Sequence, residues 1–249
     1  MWGDISRQYR DEQTELRMNF KRYFKTDQQL VLQSHDSQSS ATKRTELMIV
    51  TVASVEGNRL IVNSPYGSDV VDQYAITPDA TIEVATDVMG MGARASGHLE
   101  KKLSSNQFAI SLNYDLSLFQ RRVKERLDCD VGIRFSRGAK TLPAMRSIWE
   151  KNLNVLYSPE APLIFQGFRP CRVNISAGGI RFAMKPAANQ GDLCLILIHL
   201  DDSKPPVCVI AEAVWSCMIG DEAATTGMRF INILHQDQER INTFIRKNQ

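Results

Sequence analysis

Long apolar runs are missing from this sequence. The longest, Leu193 to Ile198, is far short of the roughly 20 residues that a membrane-crossing helix needs. The first residues, Met1-Trp2-Gly3-Asp4, do not form a basic segment followed by an apolar one, so no secretory signal is expected. Cysteine is scarce and unpaired. The five (Cys129, Cys171, Cys194, Cys208, Cys217) are odd in number, and none makes a Cys-x-x-Cys. Several fall on the apolar phase of predicted strands, so they read as small buried hydrophobes in a reducing compartment, not as disulfides or a zinc site. Together these absences point to a cytoplasmic protein.

Catalytic patterns are equally thin. The four histidines (His35, His98, His199, His235) are scattered, without His-Glu-x-x-His or other metal-ligand spacing. There is no Gly-x-Ser-x-Gly elbow and no P-loop. Met89-Gly90-Met91-Gly92 is not framed by a strand and a helix, so it is no nucleotide fingerprint. Asp201-Asp202 precedes Pro205-Pro206 in a turn, where adjacent acids are ordinarily just solvated. No catalytic residue and no metal site is assigned, and the chain is read as a binder, not an enzyme.

What is present is an uneven charge distribution. The length of 249 residues suits one or two domains with real cores, and the net charge of +2 excludes little. Residues 28–118, however, hold 6 Lys/Arg against 10 Asp/Glu, a net of −4. Residues 119–249 hold 18 against 13, a net of +5, and within 121–146 the count is 8 against 3. Positive charge is thus concentrated in one short region, which suits an anionic ligand.

That region contains Gln120-Arg121-Arg122-Val123-Lys124-Glu125-Arg126. Guanidinium groups capture phosphate through several donors at once, and their flat faces stack on bases. Directly afterwards Leu127, Cys129, Val131, Ile133 and Phe135 alternate with Asp128, Asp130 and Arg134, the period of a half-buried strand. Further on, Asn174-Ile175-Ser176-Ala177-Gly178-Gly179 places two short polar side chains beside two glycines. Such polar groups bond turn backbone or reach ligand oxygens, and glycine lets a ligand approach the main chain.

Arg122-x-x-x-Arg126 followed by Asn174-x-Ser176-x-x-Gly179 resembles the PilZ family, bacterial domains that bind cyclic di-GMP. The resemblance covers about residues 119–249. It implies that Arg122 and Arg126 contact phosphate and guanine, and that Arg121 adds charge and a stacking surface for a second ligand molecule. It further implies that Asn174 and Ser176 hold polar groups of the nucleotide and that Gly179 leaves room for it. Arg126 and Asn174 are 48 positions apart, more than a simple hairpin needs, so an insertion is expected over 137–170.

Taken in order, the chain predicts a helix over 4–26 with Asp4 as its cap, since Ile5, Tyr9, Leu16, Phe20, Tyr23 and Phe24 fall near one face. Residues 33–43 read as a polar loop. Strands follow near 47–55 and 60–62 across the turn Glu56-Gly57-Asn58, then at 81–86, 90–101 and 107–112. Six or so short strands without helices between them predict a small β-barrel, similar in pattern to the N-terminal barrel of flagellar-brake proteins. The second half predicts a short helix from Pro143 to Asn152, strands at 171–175, 179–184, 193–199, 207–217 and 226–233, and a terminal helix capped by Asp237.

The fold class is therefore mainly β, with two small barrels and a helix at each end of the chain. The domains are 1–112, a linker 113–126 carrying the arginines, and 127–249. The function implied is that of a cyclic di-GMP receptor acting on motility or a related surface behaviour through a protein target such as flagellar motor components. A PilZ-like adaptor acting without ligand is the alternative. A single-stranded nucleic-acid binder fits poorly, because 121–146 offers only Phe135 as an aromatic, and no nucleic-acid partner is expected.

Overall fold

The computed structural model describes residues 19–34, 44–66, 81–88, 90–120, 125–137, 141–158, 167–219 and 223–249. The chain is mainly β, and it divides into two compact units. The first is Met1–Asp36 with Met48–Arg121; the second is Ser37–Leu47 with Arg122–Gln249.

In the first unit the strands are β1 (Gln29–Ser34), β2 (Arg44–Glu56), β3 (Arg59–Asn63), β4 (Thr81–Val88), β5 (Met91–Lys102) and β6 (Gln107–Leu112). They run in the order β1-β4-β5-β6-β3-β2, and a further pairing of β1 with β2 closes the ring. Closure leaves no free sheet edge around the barrel. Alternation decides which side chains fill it: Leu60 and Val62 of β3, and Ile82 and Val84 of β4, are fully buried. Gly57, at a φ of +62°, makes the β2–β3 turn as its position predicts. A short β7 (Ser117–Phe119) pairs with β5.

Two elements of this unit differ from expectation. Of the helix expected over 4–26, residues 1–18 lie outside the described residues; from 19 onward there is only a 3-10 turn, Phe20–Arg22. Asn19 caps it through its side chain, Tyr23 ends it, and Asp27 at a φ of +64° makes the turn that leads into β1. Phe20 and Phe24 are buried against each other, ring centroids 6.2 Å apart, so the apolar spacing reflects core filling in place of a helical stripe. Strand β1 is the second difference. Leu30 and Leu32 alternate inward, and β1 pairs with β4.

The second unit holds β8 (Leu127–Arg137), α1 (Leu142–Leu156), β9 (Arg169–Ser176), β10 (Gly179–Met184), β11 (Leu193–His199), β12 (Val207–Met218), β13 (Ala224–Leu234) and α2 (His235–Lys247). The order β13-β10-β9-β8-β11-β12 closes when β12 pairs with β13, again a six-strand ring. Val131, Ile175, Phe182, Ile196, Val209 and Phe230 share its core.

The expected insertion contains α1, which starts where Thr141 caps the amide of Ala144 and Pro143 occupies the first turn. Its Trp149 is fully buried and donates its indole N–H to the Cys208 carbonyl at 2.8 Å. Because α1 packs on β11 and β12, Val207 to Ala213 is buried on both faces. Beyond the reach of α1, Trp215 to Met218 is exposed.

Asp237 does not cap α2. Leu234 occupies the cap position without a side-chain bond. The Asp237 carboxylate lies inside the first turn, fully buried, accepting from the Tyr157 hydroxyl at 3.0 Å and from Arg240 at 2.8 Å. Burial pushes its carboxyl up, and the hydrogen bonds from Arg240 and Tyr157 pull the other way. The cysteines are also split: Cys194 and Cys208 are buried, Cys129 and Cys171 half-buried, and Cys217 is exposed because β12 outruns its cover.

Candidate ligand-binding face

The outer face of the β8–β9–β10 sheet gathers the motif residues that are described. Arg121 and Arg122 lie outside the described residues. Arg126 is exposed at the start of β8. Among the described residues its guanidinium has no ion-pair partner.

Strands β9 and β10 form a tight hairpin in which Gly179 stands opposite Ser176 and Arg181 opposite Asn174. Ser176 closes the turn. Its hydroxyl accepts from the Gly178 amide and donates to the Gly179 carbonyl, both at 3.4 Å, and the residue is buried. The Asn174 side-chain amide has no hydrogen-bond partner among the described residues, and the residue is half-buried. A half-buried amide with spare donors and acceptor suits a polar ligand.

Gly179 has a structural demand that its place in the motif does not reveal. It stands opposite Arg229 of β13, and the Phe230 amide donates to the neighbouring Gly178 carbonyl at 3.0 Å. A Cβ at Gly179 would overlap the Met228 carbonyl oxygen, a backbone atom of the barrel wall. The missing side chain is therefore required by the passage of β13 across the hairpin, whatever the ligand does.

Register carries the face further. Asp128 of β8 is opposite Asn174, Asn174 is opposite Arg181, Arg181 is opposite Gly227 of β13, and Gly227 is opposite Trp215 of β12. Directly opposed residues point to the same side of a sheet, so these five form one outward row. The Trp215 indole occupies the place that a Cβ on Gly227 would take. Arg181 pairs with Asp128 at 3.3 Å, and one step along, Arg172 pairs with Asp130 at 3.3 Å. Sequence reading missed Arg181 and Trp215 as members of this face. The signal for Arg181 was its place two residues beyond Gly179 on the same strand, in phase with the hairpin.

The residues with catalytic potential are engaged elsewhere. Asp201 pairs with His199 at 2.8 Å and Asp202 with Arg240 at 3.0 Å, so the two acids face different partners and do not act as a pair. Burial pushes the Cys194 thiol up to about 11 and the Cys208 thiol up to about 12, which keeps both protonated and poorly nucleophilic at neutral pH. Among the described residues no group of three or more His, Cys, Asp or Glu is placed to hold a metal ion, and no helix is long and apolar enough to cross a membrane.

No curated protein matches the chain. Among solved structures, the Bacillus subtilis inhibitor of motility MotI/DgrA aligns at 14% identity and a TM-score of 0.36, covering 91% of this chain and 98% of that one. YcgR of Escherichia coli, solved in complex with c-di-GMP, aligns at 13% identity and a TM-score of 0.32, over 89% and 83% of the two chains. The MrkH–c-di-GMP complex of K. pneumonia aligns at 13% identity and a TM-score of 0.30, over 88% and 85%. The family comparison is the specific one, and it spans β9 to β13, including the hairpin with Asn174, Ser176 and Gly179, and α2, while β8 and Arg126 lie outside it. Residues 157–247 of this chain match the PilZ domain family.

Proposed function

We propose that this protein is a receptor for cyclic di-GMP. The observation that supports this most is the pairing of Arg122-x-x-x-Arg126 with Asn174-x-Ser176-x-x-Gly179 in a chain whose C-terminal part matches the PilZ domain family. Arg122 and Arg126 contact phosphate and guanine, and Arg121 supplies further charge and a stacking surface. The Asn174 amide binds a polar group of the nucleotide. Ser176, already bonded within its turn, holds the hairpin in shape beneath it. The nucleotide is a ligand and not a catalytic cofactor, and the protein acts by binding.

Calorimetry with cyclic di-GMP, GTP, cyclic GMP and cyclic di-AMP tests the assignment. The expected result is preference for cyclic di-GMP, with Arg122→Ala and Arg126→Ala each weakening it roughly ten- to a hundredfold, the range for hydrogen bonds to a charged group. Unchanged affinity in both variants would remove the assignment.

The output follows from where the arginines stand in the chain. Residues 113–126 join an acidic half to a basic one, and a doubly charged nucleotide held by both this segment and the hairpin restricts the segment. The two units then sample a narrower range of orientations, a population shift bounded by the ligand's differential affinity for those arrangements. A protein target reads that change, and motility components are the class the brake-like resemblance implies. Small-angle scattering at saturating cyclic di-GMP should differ from the ligand-free profile; superimposable profiles would mean that the signal runs through the surface of the bound nucleotide itself.

A further inference from the structure

The Asp128–Arg181 ion pair is peculiar in its route. The two residues belong to β8 and β10, and β9 runs between them with Asn174 at the same level. Neighbouring strands lie about 4.8 Å apart, so the Arg181 side chain must reach across the Asn174 position to meet the Asp128 carboxylate at 3.3 Å. Both partners are largely open to water, with side chains 48% and 59% exposed. A pair in that setting is weak and easily exchanged. Arg172 beside it differs, because it stands directly opposite its partner Asp130 and needs no such reach.

We propose that Arg181 is a further ligand-binding residue, held by Asp128 when the site is empty and transferred to a phosphate oxygen of the nucleotide when it is filled. This rests on the cyclic di-GMP reading above. Three observations converge on it. Arg181 shares the outward row with Asn174, whose amide is unpartnered among the described residues. The guanidinium reaches from β10 past the strand that carries Asn174 to meet Asp128, on the face of the sheet where Asn174 would meet the nucleotide. The row continues through Gly227 to the half-exposed Trp215 indole, an apolar wall that leaves an anion beside Arg181 partly shielded from water and so more strongly held.

The exchange gives Asp128 a role opposite to that of the arginines. Its carboxylate competes with the ligand for the Arg181 guanidinium. It lowers affinity while keeping Arg181 positioned, and it raises discrimination against ligands with too little charge to displace it. No covalent step is involved; one ion pair is replaced by another.

Calorimetric titration of the full chain with cyclic di-GMP tests this, using Arg181→Ala, Asp128→Asn and the double variant, with melting curves to confirm that these exposed substitutions leave the fold in place. Arg181→Ala should weaken binding about tenfold or more. Asp128→Asn should tighten it about two- to fivefold. The double variant should bind like Arg181→Ala alone, because Asp128 acts through Arg181. Arg181→Ala with wild-type affinity overturns the proposal. So does Asp128→Asn that weakens binding, or that tightens it equally without Arg181. If wild-type protein binds no cyclic di-GMP at all, the receptor assignment fails and this proposal with it; if wild type binds and only the Arg181 result is negative, the assignment stands.

Discussion

Trp149→Ala is expected to lower the stability of the second unit by about 3–5 kcal/mol, the cost of truncating a large aromatic in a packed interior. Trp149 is the largest fully buried side chain of the described residues, and it does three things at once. It fills the space between α1 and the outer face of β12. It satisfies the buried Cys208 carbonyl at 2.8 Å, which would otherwise carry the desolvation cost of an unpaired acceptor. Its ring also lies 5.9 Å from the Arg44 guanidinium. In a chain of this size the loss corresponds to a fall in melting temperature of roughly 10 °C or more. Trp149→Phe separates the parts, since it keeps most of the packing and removes the hydrogen bond; it should lose a minor share. A thermal melt of Trp149→Ala that moves no more than that of Lys151→Ala, at an exposed position of the same helix, would show that α1 is dispensable to the barrel.

Gly179→Val should destabilise the barrel and not merely empty the site. A residue in the family's ligand motif invites the reading that its side chain is absent for the ligand's sake, and a substitution would then cost binding while leaving the fold intact. The cross-strand geometry predicts otherwise. Any Cβ there meets the Met228 carbonyl oxygen, and a backbone atom in the middle of β13 cannot rotate away. Overpacking of this kind costs about 3 kcal/mol, at the upper end of its usual range, because β10 and β13 must separate where Phe230 bonds to the Gly178 carbonyl. Gly179→Ala should already show most of the effect, since the first carbon makes the collision. Chemical denaturation compares the three proteins. Alanine and valine variants as stable as wild type, yet unable to bind ligand, would restore the purely functional role of the glycine.

The local patterns of this chain were readable from residue order because they depend on neighbours along the strand. Leu127, Cys129, Val131 and Ile133 alternate with Asp128, Asp130, Gly132 and Arg134, and the structure turns that apolar phase toward the core of the second unit. Strands β10 and β11 lie at the expected 179–184 and 193–199, and the predicted helix near Pro143 is α1. Strand β1 carried a weaker signal, the apolar run Leu30-Val31-Leu32 flanked by Gln29 and Gln33, too short to be told from other brief apolar stretches. A hydrophobic period reports which side of an element is apolar, and that is a property of the sequence.

What lies on the other side of the element is a property of the fold. Phe20 and Phe24 were spaced as on a helix, yet only a short turn forms there and both rings are buried, because burial outweighs a weak local preference. Asp237 stood where a cap belongs, but Tyr157 and Arg240, brought from a distant segment and from the next turn, capture its carboxylate. Gly179 and Gly227 look alike on the page. Closure of the ring puts the Met228 carbonyl over one and the Trp215 indole over the other. The outward row of Asp128, Asn174, Arg181, Gly227 and Trp215 draws on residues up to 99 positions apart, and only strand order and register bring them level. Residue order determined most of the elements and the motif that resembles the PilZ family; barrel closure, which couples residues across five strands, decided what Gly179, Arg181 and Gly227 face.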